Sequence, residues 1–418
     1  MILKKIKLLN YRNYSNISIN FNKNINIFVG SNAQGKTNIL ESIYVLALTK
    51  SPRLSSDLNA IKFGEEFSRI IGTVHQDGFN NELEVFINKT DKKVFKNKTR
   101  IKKISNYISN LNVILFTPDD LEIIKGSPSI RRNLLNIEIS QLSNDYINNY
   151  NEFNKLLKNR NEYLKILYSN GYADERYFEI LTEKLIEKGT LIYIQRNEFI
   201  EKINKYLGDI YYQISGQKGL YLKYENQFEF EDYSKKNISE VYKEKLNKSL
   251  FKEKIQGMTL YGPHRDEFSF YLGDISLKLY GSQGQQRLAI ISLKIAEIYL
   301  FRELKGENPV LLLDDIFSEI DKSKKNKLVK FIDDNIQTII TTTDLRGLNK
   351  SLLKNSKIFY VKEGTVEEKK QNGTSRNKVW FFCHSGIGRI RSSKKKTRYV
   401  YRNNKFSWTT SFSMGNCW

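Results

Sequence analysis

Cysteine is missing from the first 370 residues of this 418-residue chain; Cys383 and Cys417 both lie beyond them. That excludes intramolecular disulfides and thiolate metal sites from most of the protein. Tryptophan is missing from the same stretch, with Trp380, Trp408 and Trp418 all near the end. Only five prolines occur, too few for an extended linker. No apolar run is long enough to span a bilayer. The opening Met1–Lys7 alternates like a strand and lacks the apolar core of a signal peptide. A soluble cytoplasmic protein with no membrane partner is the expectation.

Acidic residues are absent from Gln371 to Trp418, where ten Lys or Arg occur. Without those ten the chain has 58 basic against 46 acidic residues, a balance of +12 rather than +22. The excess favours a polyanionic partner. Two explanations fit so abrupt a break: a basic nucleic-acid-binding tail, or translation out of frame. Re-read in a shifted frame, coding triplets for Lys395–Arg402 and Thr409–Trp418 give peptides resembling the start of the DNA gyrase B subunit, in order. The expectation is therefore a frameshifted, non-native tail from residue 367 to 418.

Charge aside, the front third alternates with period two at Ile2–Leu9, Asn16–Phe21 and Asn24–Gly30, the pattern of half-buried strands. From Pro118 to Leu207 apolar residues recur every three or four positions, as at Leu156, Leu157, Tyr163, Leu164 and Leu167. Strand patterns return at Phe268–Leu272, Pro309–Leu313 and Ile336–Thr341. This is an α/β chain interrupted by a helical insertion. The expected parts are 1–117 and 256–366 for one lobe, with a helical lobe over 118–255.

Within the first lobe, "GSNAQGKT" matches the phosphate-binding pattern G-x-x-x-x-G-K-S/T in full: Gly30, Ser31, Asn32, Ala33, Gln34, Gly35, Lys36 and Thr37. It follows a strand and opens a helix, which turns backbone N–H groups and the positive helix end toward a β-phosphate. Lys36 then reaches the β- and γ-phosphates of ATP, and Thr37 ligates Mg²⁺. "PVLLLDD" is a buried strand delivering Asp314 and Asp315 to its carboxyl edge, where such folds bind ligands. Asp314 suits Mg²⁺ and Asp315 suits the attacking water, although aspartates also simply start helices. Between them "YGSQGQQR" is a glycine–glutamine run before an apolar helix. It reads as under-satisfied in its own chain, with Ser282, Gly284 and Gln285 facing a phosphate on a second subunit. Lys36 and Ser282 are 246 residues apart (282 − 36), too far for a compact transporter cassette and too near for a long coiled coil.

The three motifs define an ABC-type, SMC-head-like P-loop ATPase with an inserted helical lobe. Within that class the chain resembles the RecF family of bacterial recombination mediators. The resemblance rests on Leu8–Tyr14, Gly30–Arg53, Leu115–Asn136, Leu260–Phe268, Tyr280–Arg287 and Leu311–Asp321, and covers residues 1 to about 366. Pro52 stands where the family commonly has His, and Leu288 where it often has Thr. What the resemblance implies is an ATP-dependent homodimer clamping double-stranded or gapped DNA next to single strands. It works with RecR and RecO to direct RecA, with weak, DNA-dependent ATP hydrolysis acting as a switch. Relatives often carry Glu at the position of Asp315, and a sensing His at Thr343, so slow turnover is expected. Asp321 resembles the loop that crosses the dimer. DNA contacts are sought at Lys4, Lys5, Lys7, Arg12, Lys50, Arg53, Lys125, Arg131 and Arg132. The rival reading, a P-loop ATPase coupled to a nuclease, would need a further carboxylate cluster after the cassette.

Overall fold

The central sheet is built from the most apolar strands. The computed structural model describes residues 1–369 apart from 170–173, 229, 319–321, 332–334 and 349. Its central sheet runs Thr365–Glu368, Ser356–Lys362, Ile25–Val29, Thr338–Thr342, Val310–Asp314, Val113–Phe116, parallel except for the first strand. Ile25–Val29, Val310–Asp314 and Thr338–Thr342 are buried along their whole length, as strands covered on both faces must be. Alternate residues feed different cores. Ile27, Leu311, Leu313 and Ile340 pack on the helical side, while Phe28, Val310, Leu312 and Ile339 pack on the other.

That other side is closed by a six-stranded antiparallel sheet: Tyr14–Asn20, Ile2–Tyr11, Phe67–Gln76, Phe79–Asn88, Lys92–Lys96, Thr99–Ile101. Cross-strand partners share a face, so Leu8, Ile70, Val85 and Val94 all point inward. The row Ser18, Lys7, Ile71, Glu84, Phe95, Arg100 points to solvent.

The helical lobe contains Pro128–Leu142, Asn144–Ser169, Glu175–Ser215 and Lys235–Gln256. It is not wholly helical, because Leu220–Glu225 inside it pairs antiparallel with Glu267–Leu272. The 41-residue helix Glu175–Ser215 is about 60 Å long. Buried arginines fasten the lobe. Arg160 meets Glu253 at 2.8 Å, Thr182 at 3.0 Å and Thr259 at 2.8 Å. Arg196 holds Asn136, Tyr146 and the carbonyl of Pro263.

Of two neighbouring residues expected at DNA, Arg131 is internal, which corrects that expectation, and Arg132 is partly engaged within the chain. Arg131 is 1% exposed, paired with Glu267 and donating to the carbonyls of Ile123 and Gly126. Arg132 is half-buried and donates to the carbonyl of Asp266 at 3.0 Å. Both side chains are engaged within the chain, against the segment that leads into the strand paired with Leu220–Glu225. The ordered sheet ends at Glu368, two residues past the boundary expected at 366, and the tail from 370 lies outside the described residues.

Candidate nucleotide site

The phosphate cradle is shaped by what glycine permits. A Cβ on Gly30 would lie 2.3 Å from the carbonyl oxygen of Val361. Gly35 has φ +110, and a Cβ there would lie 2.5 Å from Asn13 Nδ2 and 2.8 Å from Tyr14 Oη. Ala33 also adopts a left-handed conformation, φ +63. Such a turn aims successive N–H groups inward. Gly35 caps the helix Lys36–Leu48 with no side chain, so the positive end stays open to an anion.

Neighbours that the motif alone does not reveal hold this loop. Asn13 donates to Gln34 O at 3.2 Å, Tyr14 to Gly35 O at 3.0 Å, and Asn38 to Asn13 Oδ1 at 2.9 Å. The backbone N–H of Glu363 donates to Gln34 Oε1 at 2.7 Å. The only sequence signal for Asn13 and Tyr14 was their place in the "LLNYRNY" match. Beside the cradle runs a groove of about 820 Å³, lined by Arg12, Asn13, Asn38, Leu54, Asn59 and Ile61 among others.

Lys36 folds across the loop, its Nζ donating to Gly30 O at 2.7 Å and Ser31 O at 2.8 Å. Burial lowers its pKa, opposed by the carboxylates of Asp315 and Asp314. Thr37 Oγ1 donates to Asp314 Oδ1 at 3.0 Å, and Thr341 Oγ1 donates to the same oxygen at 2.6 Å. Two hydroxyls from two elements thus fix one carboxylate oxygen. Asp315 turns into a left-handed conformation, φ +51, its N–H within 3.3 Å of Thr341 O. Gly30 to Thr37, Asp314 and Asp315 therefore converge. Ser31 and Asn32 lie on the same loop, and Thr343 follows the neighbouring strand in an exposed bend. Asp321 lies outside the described residues.

Ser282, Gly284 and Gln285 start a separate helix, Gln283–Lys305. Its course is fixed by buried bonds: Gln286 Nε2 to Leu277 O at 2.7 Å, and Lys294 to Glu138 and Glu297 at 3.3 and 3.1 Å. The expectation that Ser282 and Gln285 lack partners in their own chain is corrected. They form a reciprocal cap, Gln285 N–H to Ser282 Oγ at 3.3 Å and Ser282 N–H to Gln285 Oε1 at 2.9 Å. Gln285 Nε2 also donates to Gln217 at 3.3 Å. Gly284 is different: a Cβ there would meet only Ser282 Oγ, at 4.0 Å. Nothing among the described residues demands glycine there, which costs a helix up to about 1 kcal/mol against alanine.

A parallel sheet carrying a P-loop helix and a carboxylate-ended strand, split by a helical lobe before an S-x-G-Q helix start, defines an ABC-type ATPase head. The RecF/RecN/SMC N-terminal domain model matches residues 2–367. A solved SMC head bound to the C-terminal winged-helix domain of ScpA shares the fold at a TM-score of 0.51 and 16% identity, over 88% of this chain and 97% of its own. The DNA replication and repair protein RecF of Ligilactobacillus salivarius (strain UCC118) is 41% identical over 374 residues, 88% of this chain and 98% of its own length. The solved recombination mediator protein RecF-ATP of the RecFOR pathway superposes at a TM-score of 0.82 with 33% identity, covering 88% of this chain and 98% of its own. The chain belongs to the RecF family of DNA replication and repair proteins.

Proposed function

We propose that the protein is an ATP-switched homodimeric DNA clamp of gap repair, acting with RecR and RecO to place RecA. The observation that carries this reading is the Thr37–Asp314–Thr341 cluster beside the open helix end. Its hydroxyl and carboxylate oxygens are the hard donors Mg²⁺ prefers. Thr37 and Asp314 would hold the ion, which when bound neutralises phosphate charge. The cradle N–H groups take the β-phosphate, and Lys36 leaves the carbonyls of Gly30 and Ser31 to reach the γ-phosphate. Asp315 orients a water against that phosphate, and its short side chain fits slow hydrolysis. The solved RecF-ATP relative supports ATP as the nucleotide.

Dimerisation follows from Gly284. The open space over it admits a second subunit's γ-phosphate, and the Ser282 cap presents a helix start without a counter-ion. Hydrolysis removes the shared phosphate and lets the subunits part. DNA then has a surface of suitable charge on the outer face of the antiparallel sheet. Lys5, Lys7, Arg69, Lys93 and Arg100 share that face with Glu82 and Glu84, while Asp91 beside it pairs with Lys93 at 3.5 Å and Arg100 at 3.7 Å.

Sedimentation velocity with ATP–Mg²⁺ and gapped DNA tests the switch. Ser282→Arg is expected to bind ATP normally and stay monomeric, and Lys36→Ala to lose ATP binding and dimerisation together. A Lys36→Ala protein that still dimerised on ATP and gripped gapped DNA would overturn the reading.

A further inference from the structure

One buried carboxylate near the cradle has no part in that scheme. Glu41 lies one helical turn beyond Thr37 on the P-loop helix and is 2% exposed. Its Oε2 accepts from Arg12 Nε at 3.0 Å, and its Oε1 accepts from the Ser51 hydroxyl. Ser51 Oγ in turn accepts the N–H groups of Arg53 and Leu54, each at 3.0 Å. Arg12 continues across to Asn59 O at 3.3 Å, while its own N–H donates to Ala60 O at 2.8 Å.

Arg12 and Leu54 both line the groove that opens beside Asn38. Asn38 directly follows Thr37, so the groove begins one residue from the end of the cradle, next to a triphosphate seated there. Burying a carboxylate costs energy unless charged and hydrogen-bonding partners compensate. Here one oxygen takes Arg12, which lines the groove, and the other takes Ser51, which holds the turn carrying Leu54. Arg12 is also held in a left-handed conformation, φ +55, which a bulky side chain adopts only where its surroundings impose it.

We infer that Glu41 is a positioning residue: by tying Arg12 and the Ser51–Leu54 turn to the P-loop helix, it shapes the groove for the nucleoside half of a nucleoside triphosphate. This rests on the nucleotide reading above and adds a division of labour to it. The cradle grips phosphates, and Glu41 acts through Arg12 and the turn on base and ribose.

The test compares two ligands that share phosphates and differ in the nucleoside: ATP–Mg²⁺ and inorganic tripolyphosphate–Mg²⁺, titrated onto the full chain by calorimetry. Glu41→Ala is expected to raise the Kd for ATP about ten-fold, the scale of one charge-assisted hydrogen bond. The Kd for tripolyphosphate should stay within about two-fold, and Glu41→Gln, which keeps shape and one acceptor, should fall between. Unchanged ATP affinity would overturn the inference, and so would equal weakening of both ligands, since Glu41 would then merely brace the cradle helix. If Glu41→Ala fails to fold, Ser51→Ala cuts only the turn's link, and the same pair of ligands decides. A wild-type chain that bound neither ligand would instead sink the nucleotide reading itself.

Discussion

His264 shows how a single buried side chain can give stability a pH dependence. Its Nε2 faces Thr259 O at 3.2 Å, Nδ1 has no partner among the described residues, and the ring packs 6.0 Å from Phe153. Burial, and then Arg265, Arg132 and Arg196 nearby, push its pKa down to about 4. An unfolded histidine titrates near 6.5, so on acidification the unfolded chain takes up the proton first. Stability present above pH 6.5 is therefore lost as pH falls toward 4. Asp266, two residues on, works the other way. Burial pushes its carboxyl up to about 7, against the attraction of Arg196, so it favours folding as pH falls from 7 toward 4. The two opposing slopes flatten the wild-type profile. His264→Gln should expose the Asp266 slope: the wild type's stability relative to the variant should drop by about 2–3 kcal/mol between pH 7 and pH 4.5. Urea unfolding at the two pH values measures this, and parallel profiles would show that His264 is not held neutral.

At the scale of elements, sequence motifs and the surfaces between them differ in how visible they were. The cradle and the Asp314 strand were legible because their chemistry is local: glycines for a tight turn, then a buried apolar run ending in carboxylates. The S-x-G-Q helix was legible as a motif, yet the partners of Ser282 and Gln285 were not. A capping box satisfies them within three residues, and a Cβ on Gly284 would meet only Ser282 Oγ among the described residues. Arg131 misled for the opposite reason, because a basic residue in a charged stretch reads as solvated, and only tertiary packing places it against Glu267. Of the outer sheet face only the Lys5 and Lys7 strand was legible, since Lys93 and Arg100 join it only through strand register. That register supports an expectation for DNA. Reversing Lys7, Lys93 and Arg100 to Glu should weaken binding to duplex DNA and lower the slope of log K against log salt by about 0.9 for each phosphate no longer neutralised. ATP affinity should not change. Fluorescence anisotropy from about 50 to 200 mM salt reads the DNA effect, and an unaltered slope would remove this face from the DNA path.

The chain as a whole changes composition near the point where its described structure ends. Met1–Lys370 forms one compact unit, its last strand ends at Glu368, and the family model stops at residue 367. Everything the RecF resemblance explains thus lies before the point where acidic residues vanish from the chain. An out-of-frame origin would leave the tail without evolved contacts, while its ten Lys or Arg would still act on any polyanion. Shortening the chain separates the two effects. A chain ending at Lys369 should keep the full chain's ATP affinity and ATP-dependent dimerisation, because the cradle, the Asp314 strand and the Ser282 helix are all retained. Its binding to duplex DNA should lose salt-sensitive, sequence-independent affinity, the slope falling by about 0.9 for each phosphate the tail had neutralised. Loss of dimerisation on shortening would instead make the tail a working part of the protein, and the out-of-frame origin would fall with it.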